Sequence, residues 1–238
     1  AGTQTVGLAF GGNTTAVSSS TEEYDGSSWT AVNSMNTARK YLAGAGTQAD
    51  ALAFGGIITA NTNVTEEYDG TNWTTSPATL ATARRRLGGA GTRAAGLGFG
   101  GETTTQVAVT EEYNSNIGIT TQSAWSSGGT MNNSRSYVTG AGQSTLTAGL
   151  IFGGGPGGKT NTEEYDGTSW TEQNDLATGR NYIAGGGTQT AAFGAGGYNS
   201  GGTAVNNGEE YDGTSWSETN DLNTARGQTN GFGSQTAG

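Results

Sequence analysis

The sequence predicts an all-β fold, namely a five-bladed β-propeller with four antiparallel strands in each blade. The octapeptide EEYDGSSW at 22–29 recurs with small changes at 66–73, 163–170 and 209–216, and a longer form, EEYNSNIGITTQSAW, occupies 111–125. The five copies begin 44 to 52 residues apart. A glycine pair precedes each copy and an arginine follows each tryptophan. A repeat in the mid-forties with glycine-rich strands is typical of propeller blades.

Each repeat divides into four strands, as the second copy illustrates. The first strand follows the arginine in RKYLAGAGTQ (39–48), and the second ends at the glycine pair of ADALAFGG (49–56). The third strand is VTEEYD (64–69), and the fourth starts at the tryptophan of WTTS (73–76). Asp-Gly between the third and fourth strands is typical of a hairpin turn. The glycines of the first strand suit the crowded axis of a propeller.

These repeats predict a single domain over residues 1–238, with blades at approximately 1–38, 39–83, 84–134, 135–179 and 180–225. The chain begins partway through a first strand, and RGQTNGFGSQTAG at 226–238 supplies a complete extra one. This closing strand is expected to pair beside VGLAFGG (6–12), so that the N- and C-terminal segments share a blade and close the ring. Closure would remove sheet edges, which otherwise invite aggregation.

Composition excludes several classes of site. The 238 residues include no cysteine and no histidine, which excludes disulfides, thiolate metal sites and an imidazole base. The net charge of −10 argues against a nucleic-acid partner, and no apolar run is long enough for a membrane span. We predict no cofactor and no metal site, although paired carboxylates and the Asn-Asp pairs at 174–175 and 220–221 leave calcium open. A start at Ala1 indicates a processed or excised chain.

One segment imitates a nucleotide-binding loop. GGGPGGKT at 153–160 has the glycine, lysine and threonine spacing of a phosphate-binding loop, which requires a helix directly after it. NTEEYDG follows instead, and it is the predicted third strand of the blade. GLGFGG at 96–101 matches the dinucleotide fingerprint in the same accidental way. We therefore expect neither segment to bind phosphate.

The glycine pair, the tyrosine and tryptophan a few residues apart and the later arginine resemble the kelch repeat over nearly the whole chain. TEQNDLATGRNYIAGGGTQTAAFGAGG (171–197) and SETNDLNTARGQTNGFG (217–233) are similar in wording to kelch-like repeats in structural proteins of tailed bacteriophages, particularly marine ones. This resemblance implies a viral structural protein located in a virion or outside the cell. The sequence departs from kelch repeats before each tyrosine, where a glutamate replaces the usual apolar residue. Without histidine, it also lacks the copper ligands of galactose-oxidase-type relatives.

The kelch resemblance also implies structural ion pairs. In that family an acidic residue two positions before the tyrosine pairs with the repeat arginine, and a bidentate arginine is the natural partner for a buried carboxylate. The acidic positions here are Glu22, Glu66, Glu111, Glu163 and Glu209. The repeat arginines are Arg39, Arg84, Arg135, Arg180 and Arg226. A ring of general acids or a calcium belt is the alternative for these residues.

A candidate ligand site lies at one mouth of the predicted channel. The loops between second and third strands emerge there and differ most among the repeats. The residues two positions after each repeat arginine should surround the axis at the same mouth: Tyr41, Arg86, Tyr137, Tyr182 and Gln228. Aromatic faces with amide and guanidinium donors suit sugar rings, although the same side chains could simply plug the channel. At the opposite face, the insert 114–124 is interpreted as a solvated loop or a subunit contact.

These features favour a non-enzymatic module that recognises a surface glycan or a protein through the mouth loops. A purely structural spacer without a small ligand is the alternative, and the oligomeric state stays open. An enzyme without histidine or cysteine would need a convergent carboxylate pair. The acidic residues outside the repeat pattern are Asp50, Glu102, Glu172, Asp175, Glu218 and Asp221. They are scattered along the sequence, so we predict no catalytic site.

Overall fold

The computed structural model describes residues 1–3, 5–115, 123–141, 145–231 and 233–236. These residues form five antiparallel sheets of four strands each, arranged as a propeller, which confirms the predicted fold class. The described part of the chain contains strands and turns and no α-helix. It accordingly offers no helix with the length and apolar character needed to cross a membrane.

The blades follow one another along the chain, and each uses four consecutive strands. Blade 1 contains β1 (Gly2–Thr3), β2 (Val6–Phe10), β3 (Thr21–Tyr24) and β4 (Trp29–Val32). Blade 2 contains β5 (Ala43–Gly46), β6 (Ala51–Phe54), β7 (Thr65–Tyr68) and β8 (Trp73–Thr75). Blade 3 contains β9 (Gly88–Gly91), β10 (Ala95–Phe99), β11 (Thr110–Asn114) and β12 (Ala124–Ser127). Blade 4 contains β13 (Thr139–Gly140), β14 (Gly149–Phe152), β15 (Thr162–Tyr165) and β16 (Trp170–Gln173). Blade 5 contains β17 (Ala184–Thr188), β18 (Ala191–Ala195), β19 (Gly208–Tyr211) and β20 (Trp216–Thr219).

The repeated turn sets the register of the two outer strands in each blade. In blade 1 the carboxylate of Asp25 accepts hydrogen bonds from the backbone N–H groups of Ser27 and Ser28, at 2.8 and 2.9 Å. Such side-chain caps stabilise a tight turn, and this one brings Tyr24 opposite Trp29. Blade 3 has the long insert in this position, and residues 116–122 of it lie outside the described residues.

The hydrophobic core lies in the seams between blades. In the seam between blades 2 and 3, for example, Leu52 and Phe54 of blade 2 belong to the same buried cluster as Tyr113 of blade 3. The ring of Phe54 meets that of Trp125 edge-on, with 4.9 Å between centroids. Corresponding clusters fill the seams 1/2, 3/4 and 4/5. Stability in this fold therefore depends on contact between neighbouring sheets.

The inner strands approach one another so closely that only glycine fits at some positions. A Cβ atom added to Gly89 of β9 would lie 2.6 Å from the carbonyl oxygen of Gly44 in β5. That distance is too short for a carbon–oxygen contact. The glycine-rich first strand of each repeat thus allows the sheets to converge at the axis.

The predicted closing strand is the point at which the structure differs from expectation. Within the described residues, β2 pairs with β1, in the register Gly2↔Gly7 and Thr3↔Val6, and not with residues 226–238. The C-terminal residues instead lie along β17, where the N–H of Gly187 donates to the carbonyl of Gly233 at 2.8 Å. Because β1 and β2 are separated by only two residues, a local hairpin competes effectively with a distant strand for the edge of β2.

Candidate functional site

The five residues predicted at the channel mouth share an unusual backbone conformation. Tyr41, Arg86, Tyr137, Tyr182 and Gln228, here called the mouth ring, have φ between 53° and 58°. Within the described residues they are the non-glycine residues with positive φ. A left-handed conformation costs an ordinary L-residue about 1–2 kcal/mol. Its recurrence at one position of every repeat shows that the fold imposes it, and such strain clusters at functional sites.

Members of the mouth ring contact one another in sequence order. The backbone N–H of Arg86 donates to the carbonyl of Tyr41 at 2.8 Å, that of Tyr137 to Arg86 at 3.1 Å, and that of Tyr182 to Tyr137 at 3.3 Å. The Arg86 guanidinium lies 4.5 Å from the ring centroids of both Tyr41 and Tyr137. The rings of Tyr137 and Tyr182 are 4.5 Å apart. These contacts make the mouth a continuous cation–π and aromatic surface.

Glu102 fixes the cationic part of this surface. Its carboxylate accepts hydrogen bonds from Arg85, at 2.7 Å, and from Arg86. Burial raises the pKa of Glu102, but the two guanidinium donors outweigh it, so that the net pKa lies below its ordinary value. Burial likewise lowers the pKa of Arg86, and the bond to Glu102 more than compensates. Both groups are therefore charged at neutral pH, and the guanidinium is held between the tyrosines.

An open cleft of about 290 Å³ adjoins the mouth ring at blade 5. The side chains that line it include two tyrosines and three amides, namely Tyr182, Tyr198, Asn181, Asn199 and Gln228. The rings of Tyr182 and Tyr198 meet nearly perpendicularly, with 6.0 Å between centroids. Burial, followed by the proximity of Tyr137, raises the pKa of Tyr182 to about 12, so this phenol is neutral. The cleft therefore combines aromatic faces with uncharged hydrogen-bonding groups.

Buried acceptors without a partner lie in or beside this cleft. The Nδ2 of Asn181 donates to the carbonyl of Gly155 at 2.8 Å, whereas its Oδ1 is buried without a hydrogen-bond partner among the described residues. The hydroxyl of Thr229, next to Gln228, is likewise buried and unpartnered. Such groups cost free energy unless something binds them.

Sequence reasoning identified Tyr182 and Gln228 but missed Asn181, Tyr198 and Asn199. Tyr198 belongs to the second-to-third loop of blade 5, and the backbones of Asn181 and Tyr198 form a bridge. One sequence signal could have located these residues, since the residue after each repeat arginine faces the loop between the second and third strands of its blade. In blades 2 and 3, Lys40 and Arg85 form the same type of bridge with Ile57 and Glu102.

Gln228 offers a test of the backbone strain at the mouth. Its side chain is exposed and its φ is 58°. Asparagine tolerates the left-handed region better than glutamine and keeps the amide. We expect Gln228→Asn to raise the free energy of unfolding by about 0.5 kcal/mol. Chemical denaturation measures this change, and a loss of stability would show that the strain is not relieved at this position.

The structure places four of the five repeat arginines against the first glutamate of the same blade. The ion pairs are Arg39–Glu66 at 3.2 Å, Arg84–Glu111, Arg135–Glu163, and Arg180–Glu209 at 2.7 Å, all with buried side chains. The remaining glutamate and arginine, Glu22 and Arg226, are both exposed and make no ion pair with each other. Glu22 lacks this partner because β1 lies beside β2, at the edge that the repeat arginine's strand occupies in the other blades.

The remaining polar motifs are occupied by contacts within the scaffold. Strand β15 follows the phosphate-loop-like segment, Lys159 donates to the carbonyl of Ser134 at 3.3 Å, and Thr160 donates to Asp175 at 2.9 Å. The acidic residues outside the repeat pattern have different partners. Glu102 binds Arg85 and Arg86, Asp50 binds Arg93, Glu172 accepts from Asn133, and Asp221 accepts from the N–H of Gly208. Glu218 lies in β20.

Comparison with known proteins supports the architecture. No family model matches the chain, and no curated protein matches it in sequence. The solved structure of YjhT matches with a TM-score of 0.75, over 90% of this chain and 81% of the other, at 12% sequence identity. At that identity the likeness shows the fold alone. It agrees with the arrangement of the five sheets as a propeller.

Proposed function

We propose that this protein is a non-enzymatic recognition module that binds a surface glycan in the cleft beside the mouth ring. The observation that carries the proposal is the composition of the cleft, where Tyr182 and Tyr198 stand beside Asn181, Asn199 and Gln228. Sugars present apolar ring faces and a fringe of hydroxyl groups. Aromatic faces stack on the former, and amides donate to and accept from the latter.

The amide groups of Asn181, Asn199 and Gln228 favour a ligand that both donates and accepts hydrogen bonds, as sugar hydroxyls do. Tyr182 is neutral, Arg85 and Arg86 are held by Glu102, and the side chains that line the cleft are uncharged, so the cleft lining offers no charge to an ionic ligand. A neutral sugar unit of a surface polysaccharide fits this chemistry. The volume of about 290 Å³ suits one or two sugar residues.

The kelch-type repeats and the position in a phage virion or tail appendage belong to the same proposal. They are supported by the sequences of the repeats, which resemble those in structural proteins of tailed bacteriophages. A virion protein meets the cell envelope from outside, where glycans are the exposed polymers. No catalytic role is part of the proposal.

The test is a glycan-array and bacterial-envelope binding screen with labelled protein, with and without calcium. A saturable ligand is then titrated against Tyr182→Ala, Tyr198→Ala and Asn181→Ala. We expect each substitution to weaken binding about tenfold or more, because each removes a stacking face or a hydrogen bond to a sugar hydroxyl. Asn33→Ala removes an exposed amide that bonds Thr71 between blades 1 and 2, outside the cleft, so it is the control and should bind normally. Unchanged affinity in all three cleft variants would overturn the site.

A structural spacer is the second candidate, and one observation favours it. The side chains of Tyr41, Arg86, Tyr137 and Tyr182 contact one another, so they fill the mouth without any ligand. For a spacer, the binding screen should be silent in both calcium conditions. The cleft substitutions would then change only the free energy of unfolding.

A further inference from the structure

Each seam between successive blades repeats the same hydrogen bonds. The tryptophan of one blade donates its Nε1–H to the threonine that begins the third strand of the blade before it. These bonds are Trp73→Thr21 and Trp125→Thr65 at 3.0 Å, and Trp170→Thr110 and Trp216→Thr162 at 2.9 Å. The tyrosine hydroxyl donates to the second glutamate of the preceding blade, as Tyr68→Glu23, Tyr113→Glu67, Tyr165→Glu112 and Tyr211→Glu164.

Blade 1 presents the same groups to solvent. Trp29 is 45% exposed, whereas Trp73 and Trp170 at the same repeat position are 6% and 5% exposed. Glu22 is also exposed, although the other four first glutamates are buried against arginines. We call this side of blade 1, formed by Glu22, Tyr24 and Trp29, the open flank. It has the chemistry of a seam with its partner missing.

The C-terminal segment, residues 226–236 as far as they are described, presents the complementary half. At the internal seams a glycine N–H donates to the carbonyl of the next repeat arginine, as Gly12 does to Arg39 at 2.9 Å. Gly197 does the same to Arg226 at 2.8 Å. The segment therefore lies against blade 5 in the position that the inner strand of the next blade occupies at each internal seam. Its Arg226 side chain is exposed, donates to the carbonyl of Thr224 and makes no ion pair with any described residue.

The two surfaces complement each other in charge and hydrogen bonding. Arg226 corresponds to the arginine that Glu22 lacks. Glu210 of blade 5 is the second glutamate to which the hydroxyl of Tyr24 would donate, by analogy with Tyr211 and Glu164. The segment also repeats the residues of β1, because Gly233 occupies the repeat position of Gly2. Among the described residues, β1 is held to β2 by two residue pairs and by the backbone bonds between Ala1 and Leu8, so a replacement strand displaces few hydrogen bonds.

We propose that two copies of this chain associate reciprocally through these surfaces. The C-terminal segment and blade 5 of one copy dock on the open flank of the other, and the segment takes the place of β1 beside β2. Among the described residues the two surfaces do not meet within one chain, and the occupant that presents both complementary halves, Arg226 toward Glu22 and Glu210 toward Tyr24, is a second copy. When the same two copies exchange their segments reciprocally, both contacts form within the pair and the assembly closes as a two-fold dimer. Added main-chain pairing is a common mode of such recognition.

This seam is weaker than the internal ones. Gly208 stands where the other blades have the threonine that accepts from tryptophan, and Ala195 stands where they have the phenylalanine that meets its ring. Trp29 consequently gains burial but neither of those two contacts. The dimer should therefore be reversible, unlike the permanent contacts between blades of one chain.

Disulfide trapping tests which surfaces meet. The chain has no cysteine, so Glu22→Cys and Arg226→Cys each introduce a single thiol. Mixing the two variants under mild oxidation should give a covalent dimer that joins position 22 of one copy to position 226 of the other. The double variant in one chain should likewise form covalent dimers. An internal disulfide in a monomeric double variant, or no cross-link in either experiment, would overturn the proposal.

Sedimentation equilibrium provides an independent measurement on chains without cysteine. Glu22→Arg or Arg226→Glu alone should weaken the dimer about tenfold or more, since each places like charges together. The combined exchange should restore the affinity to within about threefold of the original. Arg93→Glu changes a charge that pairs with Asp50 and Glu67 of blade 2, away from the open flank and the C-terminal segment, and it should leave association unchanged. A chain that is monomeric at all concentrations would contradict the inference.

Discussion

Replacing Arg135 by methionine is expected to lower the free energy of unfolding by about 3–5 kcal/mol, because it leaves Glu163 as an uncompensated buried charge. Both side chains have no exposed surface. Arg135 also donates to the carbonyl of Asn161 at 2.6 Å. That backbone acceptor would lose its partner as well. Urea denaturation followed by tryptophan fluorescence measures the change.

The repeat supplies a matched control for this substitution. Arg226 holds the same repeat position but is exposed and has no ion-pair partner in the described part of the chain. Arg226→Met should therefore change the free energy of unfolding by less than about 0.5 kcal/mol. A double variant with Glu163→Gln should recover part of the loss at Arg135, since it removes the stranded charge. Equal effects at positions 135 and 226 would contradict the assignment of the buried pair.

Much of the fold was predictable because its determinants are local. The turn after Tyr24 is fixed by Asp25 and the residues that follow it, and its hydrogen bonds lie within four residues. The glycine-rich first strands indicated close approach at the axis, as found at Gly89. Period and turn chemistry together determine where each blade starts and which residues face its neighbours.

Ring closure was not predictable, because two segments carry the same repeat residues. Gly2 and Gly233 both match Gly46, and a sequence pattern cannot decide which of them lies beside β2. Which segment pairs with β2 depends on the conformational entropy lost on pairing. That loss is smaller for a two-residue connection than for a contact across the whole chain. The expectation that all five acidic positions meet a repeat arginine is confirmed at four of them and fails at Glu22 for the same reason.

The candidate site was predictable only in part. Counting two residues from each repeat arginine located the mouth ring, since a repeated backbone places equivalent side chains in equivalent positions. The cleft was missed because Tyr198 lies in a loop whose sequence has no counterpart in the other repeats. Its proximity to Asn181 and Tyr182 follows from loop conformation, which a strand pattern does not specify.

The indole of Trp170 is expected to be as important as the buried ion pair, with Trp170→Ala costing about 3–5 kcal/mol. The side chain is buried between blades 3 and 4, where its ring lies 5.5 Å from that of Phe99 and its Nε1–H donates to Thr110 at 2.9 Å. Removal leaves a cavity in the seam and an unsatisfied hydroxyl. Denaturation at low micromolar protein concentration measures the loss.

Trp29→Ala is the control. Trp29 holds the same repeat position as Trp170, but the described residues place no neighbouring blade against it. Its ring retains the contact with Tyr24, with 5.1 Å between centroids, but it is 45% exposed. In the monomer the substitution should cost about 1 kcal/mol or less. If two copies share the open flank, this cost should grow as protein concentration rises, since association adds burial that alanine cannot replace. A cost at Trp29 that equals the cost at Trp170 at low concentration would show that the flank is already covered within one chain.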